Sequence, residues 1–190
     1  MVEPQRMHDV AIVGLGPTGA TLANLLGAAG LSVVVIEREA GVFPLPRAIH
    51  FDGEVLRILQ GAGLREQVLA IARPGEQGMH FVNGTGQTML IRGGSAALGP
   101  HGCANNYYFH QPELEAVLRE GLARFANVDL RLRSEVTGIA QDADGTTLAV
   151  REAGSGQTSA VRARYIVGCD GARSSVRQHM GSAMLDLGLR

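Results

Sequence analysis

The stretch Val10–Arg38, VAIVGLGPTGATLANLLGAAGLSVVVIER, decides the fold. Asp9 to Val13 reads as a short apolar strand that runs into Gly14, Gly16 and Gly19. Pro17 to Ala29 has helical spacing, with Leu22, Leu25, Leu26 and Ala29 on one side and Gly30 as a C-terminal stop. Leu31 to Ile36 is then a β-branched run bounded by charge, as expected of a strand buried on both faces. The stretch is therefore a βαβ unit with a GxGxxG turn at its first corner.

Glycine makes up 26 of the 190 residues, so GxGxxG alone carries little weight. Its position between a strand and a helix, with the acidic Glu37 closing the next strand about 20 residues on, gives it meaning. Gly14 permits the tight turn, Gly16 lets a pyrophosphate approach the backbone, and Gly19 lets the helix pack close to the strand. Pro17 opens the helix, whose unpaired amides and dipole face the phosphates. Glu37, followed by Arg38, can accept hydrogen bonds from two ribose hydroxyls and would repel a 2′-phosphate. The tightly held dinucleotide is expected to be FAD or NAD, not NADP.

Downstream comes a Pro-rich connection, GVFPLPRAIH, then an expected helix around Asp52 to Gln60 that ends at Gly61-Ala62-Gly63. Short strands are expected near Met79 to Val82 and Thr88 to Ile91, and Tyr107 to His110 reads as extended. Gln111-Pro112-Glu113 begins a helix with apolar spacing at Leu114, Val117, Leu118 and Leu122. Val128 to Leu132 is an expected strand. A β-meander follows through Val136–Ala140, Thr146–Val150 and Val161–Val167, with Asp144-Gly145 as a hairpin turn. The fold expected is α/β: a Rossmann-like dinucleotide-binding domain with a central parallel sheet, helices and a β-meander.

A formal net charge of -1 with 18% charged residues leaves no basic face for nucleic acid and no acidic tail, so the expected partner is a small molecule. Cys103 and Cys169 belong to no CxxC or Cys/His cluster, which argues against a disulfide framework or a metal site and for a reduced, cytoplasmic protein. The first apolar run is short and no later one reaches transmembrane length, so neither secretion nor membrane association is expected.

Three more places bear on chemistry. Arg47, in PLPRAIHFDGEVLRILQGAGL, reads from its residues alone as a solvated arginine in a Pro-rich loop. Gln111, in YYFHQPELEAVL, reads equally as a helix cap or as a hydrogen-bond donor to a ligand. In YIVGCDGARSSVR, Asp170 ends an apolar strand and opens a helix, where a carboxylate both caps amides and can hold ribityl or ribose hydroxyls.

With these pieces in this order, the chain from about Asp9 to Arg177 resembles the amino-terminal part of the group A flavoprotein monooxygenases of p-hydroxybenzoate hydroxylase type. PRAIHFDGEVLRILQGAGL and YYFHQPELE look closest to the 3-(3-hydroxyphenyl)propionate hydroxylase branch, and CDGARSSVR is the most specific element. The resemblance implies that Gly14, Gly16, Pro17 and Gly19 bind the FAD pyrophosphate and that Glu37 and Arg38 serve the adenosine ribose. It further implies that Arg47 and Gln111 contact FAD and that Asp170, with Arg173 beside it, serves FAD and NAD(P)H.

It also implies transient NADPH or NADH, O₂ and a small aromatic substrate, hence an oxidoreductase of aromatic compound catabolism, with a homodimer compatible. No catalytic residue is assigned, because the cofactor carries the chemistry. Family members carry a later Gly-Asp motif and a substrate domain. No Gly-Asp dipeptide occurs in the 190 residues. Residues 1–180 are accordingly expected to be an incomplete FAD-binding domain and 181–190 the start of a connection to a largely absent substrate domain. Such a chain alone is not expected to hydroxylate. The competing expectations are a truncated FAD-binding module without turnover, and another FAD or NAD oxidoreductase sharing the glycine fingerprint.

Overall fold

The computed structural model describes residues 7–94 and 98–188. Of the segments read above, residues 1–6 and the last two of 181–190 lie outside the described residues. In chain order the strands are β1 (Met7–Val13), β2 (Val33–Ile36), β3 (His50–Asp52), β4 (Arg73–Pro74), β5 (Met79–Val82), β6 (Thr88–Arg92), β7 (Asn106–Tyr108), β8 (Val128–Arg131), β9 (Ser134–Gln141), β10 (Thr146–Glu152) and β11 (Thr158–Gly168). The helices are α1 (Pro17–Ala28), α2 (Gly53–Gly61), α3 (Arg65–Ile71), α4 (Gln111–Gly121) and α5 (Ser175–His179), with a 3-10 turn at Leu122–Arg124. The chain divides into two compact units: one holds the described residues up to Val42 and from Leu122 onward, the other Phe43–Gly121. No helix among the described residues is long and apolar enough to cross a membrane.

The first unit is built on a six-stranded sheet of order β8-β2-β1-β11-β10-β9. The first four strands are parallel neighbours, and β10 and β9 continue the same sheet antiparallel. The meander thus widens the parallel sheet. β2, with all four residues buried, reads as a continuous apolar run because β1 and β8 flank it and both faces are covered. One apolar cluster gathers Ala11, Val13, Val34, Ile36, Leu148, Val150, Val161, Ala163 and Val176.

Helix α1 departs from its expected face. Its buried residues are Gly19, Ala20, Ala23, Asn24 and Gly27, not the leucine stripe. Leu22, Leu25 and Leu26 are only half-buried and Ala29 is exposed. The reason is closeness of approach: a Cβ on Gly27 would sit 2.8 Å from the Phe125 ring, so the contact face has to be small residues.

The second unit holds α2, α3 and α4, a three-stranded sheet of order β3-β7-β4, and the β5–β6 hairpin, whose strand residues are all exposed. Asp52 caps α2 by accepting from the Val55 amide at 3.0 Å, so the Asp52-Gly53 pair is a helix start. Phe51 is buried with its ring stacked on Tyr107 at 5.3 Å. Helix α3 and the short strands β3 and β4 were not anticipated; each is too short to show a period of its own.

Candidate functional site

In the first unit, Val13 pairs with both Ile36 and Gly168, so β2, β1 and β11 end in register and their C-terminal loops lie side by side. The chain leaves β1 toward β2 on one side, while β11 pairs on the other. That makes the β1/β11 junction a topological switch point, where open α/β sheets bind ligands. Residues near 14, 37 and 170 are thereby brought together although they are distant in sequence.

The three glycines of the first corner have different physical causes. Gly14 has φ of +99°, and a Cβ there would run into the Cys169 carbonyl and lie 2.9 Å from the Asp170 nitrogen. A Cβ on Gly19 would run into the Gly14 carbonyl oxygen. Both are demanded by the fold. Gly16 is not: its φ of -71° suits any residue, and a Cβ there would meet no atom of the described residues within 4 Å. Gly16 is the N-cap of α1, which starts with Pro17, has no side-chain cap and has no acidic residue in its first turn. The positive end of α1 is therefore left to interact with something other than a side chain.

Glu37, at the end of β2, is 9% exposed and holds this corner together. Its Oε2 accepts from the Leu15 amide at 2.6 Å and its Oε1 from the Glu39 amide at 2.8 Å. A carboxylate has about four lone-pair positions, so each oxygen keeps acceptor capacity after these bonds. Arg38 is exposed and pairs with Glu39 at 3.4 Å.

Asp170 follows β11. Its Oδ2 accepts from the Ser175 amide at 2.6 Å and the Ser175 hydroxyl at 2.9 Å, while Oδ1 is buried without a hydrogen-bond partner among the described residues. Burial pushes the Asp170 carboxyl up, but the hydroxyl dipoles of Ser174 and Ser175 and the Ser175 amide outweigh it and hold it below its ordinary value. The Cys169 thiol is pushed up, by burial first and by the neighbouring Asp170 second. Arg173 is exposed. Neither Ser175, whose amide and hydroxyl clasp Asp170, nor Ser174, whose Oγ caps α5 by accepting from the Arg177 amide at 3.0 Å, was singled out in the sequence.

The lowered Asp170 value means that the folded chain favours the charged carboxylate more than the unfolded chain does. This stabilisation is present above the ordinary carboxylate range and is lost as pH falls through the folded value. Ser175→Ala is expected to move the Asp170 titration up toward its ordinary range, as read by carbon-detected NMR of the side-chain carboxyl. An unmoved titration would show that Ser175 does not hold this group.

In the second unit, Gln111 is the first residue of α4 and its side chain is buried. Its Oε1 accepts from the backbone amides of Arg47 and Ala48, each at 2.7 Å. Its Nε2 donates to Glu115 Oε1 at 2.8 Å. In the free protein the Gln111 side chain clamps a segment 63 to 64 residues away in sequence. The Arg47 guanidinium lies exposed, 4.7 Å above the Phe43 ring. Glu115 was not singled out, though a glutamate within the apolar spacing of α4 was a visible anomaly. A separate cleft of about 380 Å³, lined by Arg57, Arg65 and His101 among others, contains none of the expected site residues.

Among proteins of curated function, the chain is 42% identical over 185 residues to one from Rhodococcus jostii (strain RHA1) named probable NADH-specific resorcinol 4-hydroxylase. That match covers 95% of this chain and 34% of the relative. A 3-(3-hydroxy-phenyl)propionate/3-hydroxycinnamic acid hydroxylase from Mycobacterium avium (strain 104) is 38% identical, with 91% and 31% covered. The chain spans about a third of the length of these curated relatives.

Among solved structures, p-nitrophenol 4-monooxygenase PnpA from Pseudomonas putida DLL-E4 superposes with a TM-score of 0.83 at 28% identity, covering 94% of this chain and 44% of that one. The flavin-dependent monooxygenase PieE, in complex with FAD and substrate, gives 0.81 at 28% identity, covering 94% and 32%. Residues 7–186 match the sequence profile of the FAD binding domain family, and with that match spanning nearly all of its length, this chain belongs to the FAD binding domain family.

Proposed function

We propose that the chain is the FAD-holding portion of a flavoprotein monooxygenase that uses NADH or NADPH and O₂ to hydroxylate a small phenolic substrate. The observation that carries this reading is the trio of aligned strand ends. They present an uncapped α1 with the open position at Gly16, a buried glutamate with acceptor capacity left, and a buried aspartate oxygen with no partner. These features suit a ligand with phosphates at one point and hydroxyls on either side, which is the chemistry of a dinucleotide. The names of the relatives support a phenolic substrate and, for one of them, NADH.

Within this reading the amides of the first turn of α1, behind Gly14, Gly16, Pro17 and Gly19, hold the pyrophosphate. Glu37 accepts from the adenosine ribose through the lone pairs its backbone bonds leave over, with Arg38 alongside. Asp170 offers Oδ1 to a further hydroxyl, with Arg173 nearby in sequence. Arg47 supplies a cation toward the cofactor, and Gln111 acts through the segment that carries it. FAD, once bound, supplies the redox chemistry between nicotinamide and O₂.

Residues 1–180 are assigned to the FAD-binding portion and 181–190 to a connection. The free thiols of Cys103 and Cys169 support a reduced, cytoplasmic setting.

The test is direct. The purified chain titrated with FAD is expected to bind it, quenching flavin fluorescence and shifting the visible bands. NADH and NADPH, added in turn without oxygen, then report which nicotinamide the bound flavin accepts. A protein that neither carries FAD nor takes it up would sink the assignment.

A further inference from the structure

The strand pair β3–β7 ends at His50 opposite Tyr108, yet the chain before His50 remains tied to the chain after Tyr108. The Phe109 amide donates to the Ile49 carbonyl at 3.0 Å, and beyond it the Gln111 side-chain Oε1 accepts from the amides of Ala48 and Arg47. One side chain thus prolongs a three-residue ladder along the segment that carries Arg47. The arrangement depends on which way the Gln111 amide faces. With two N–H donors on one side, its oxygen has to face them and its NH₂ has to face away. Glu115, one helical turn on and 2% exposed, is the acceptor that meets that NH₂. A flipped amide would set donors against donors at one end and oxygen against oxygen at the other.

We propose that Glu115 is a positioning residue: it fixes the orientation of the Gln111 amide and so holds the Arg47–Ile49 segment in one backbone conformation. The burial of both side chains gives this bond its weight, because a buried acceptor that loses its donor bears the full cost of desolvation. The role given to Arg47 rests on the FAD reading; the clamp stands on the fold of the free protein.

Hydrogen exchange of the FAD-free chain reads the clamp. The Arg47 and Ala48 amides are expected to be protected. Glu115→Leu is expected to speed their exchange by about tenfold, the worth of roughly one net hydrogen bond, while the amides of α2 stay unchanged. Glu115→Gln, which can still accept through its carbonyl, is expected to restore most of the protection. Unprotected Arg47 and Ala48 amides in the unsubstituted chain would overturn the proposal without any variant, and so would full protection in Glu115→Leu.

FAD titration of the same proteins reads the consequence. Weaker binding by Glu115→Leu, rescued in Glu115→Gln, is expected. An opened clamp with unchanged affinity would remove the link to Arg47. Failure of the unsubstituted chain to bind FAD would overturn the FAD reading and leave the exchange result standing.

Discussion

Gly16→Val is expected to weaken FAD binding by about a hundredfold or more, about 2.8 kcal/mol at 1.4 kcal/mol per tenfold, while leaving the chain folded. Gly16 has an ordinary φ and a Cβ there would touch no protein atom, so the fold itself has no use for glycine at this position. The substitution costs the free protein only what a poorer N-cap costs, about 1 kcal/mol. What the added side chain meets is whatever approaches the amides of α1. Titration calorimetry with FAD gives the affinity, and thermal melting without FAD gives the stability. Wild-type affinity in Gly16→Val would refute the assignment of this corner to a pyrophosphate.

Gly16→Ser sharpens the same result, because serine is among the preferred N-caps and is expected to hold or raise the stability of the free protein. Its side chain would nevertheless fill the space over the α1 amides, so affinity and stability are expected to move in opposite directions.

The difference between Gly16 and its neighbours also shows what was legible in the sequence. The glycine fingerprint, the helix after it and Glu37 all lie within one βαβ unit, where spacing alone fixes geometry, and that part of the fold could be read directly. The burial of α1 could not. Its leucines suggested an amphipathic stripe, but the helix presses its small residues against the rest of the unit, and only a packed structure reveals which face has room for which side chains.

Asp170 was legible as a strand-ending carboxylate. That it lies beside Gly14 depends on β11 pairing with β1 across more than a hundred residues, which no local pattern records. The hardest residue was Gln111, whose hydrogen-bond partners belong to a loop far upstream. Helix periodicity identified the turn it opens and nothing about its side chain. Glu115 was readable only as a charge in the wrong place on α4, and a buried charge acquires meaning from the group it faces. The position of each residue along its own element was legible in the sequence; the hydrogen-bond partners that tertiary pairing brings to Gln111 and Glu115 were not.

Gly14→Ala is expected to damage the fold before it damages binding. At φ of +99° an L-residue is strained, and its Cβ would be driven into the Cys169 carbonyl at the point where β1 and β11 end together. The neighbouring groups are backbone, so no side chain can swing aside. The Gly14 amide donates to the Ile36 carbonyl at 2.9 Å and the Cys169 amide to the Val13 carbonyl at 2.7 Å, so relief requires breaking the register of three strands. Overpacking with backbone strain of this kind costs about 3–5 kcal/mol, a large part of the 5–15 kcal/mol that stabilises an ordinary domain.

The expected readout is a fall in Tm of roughly 6–20 °C, at about 2–4 °C per kcal/mol for a chain of this size. FAD binding would fail in proportion to the unfolded fraction and recover on cooling. Gly16→Val would instead remain folded and fail to bind at every temperature. A Gly14→Ala protein with unchanged Tm would mean that β1 and β11 do not meet as described, and the alignment of Gly14, Glu37 and Asp170 would fall with them.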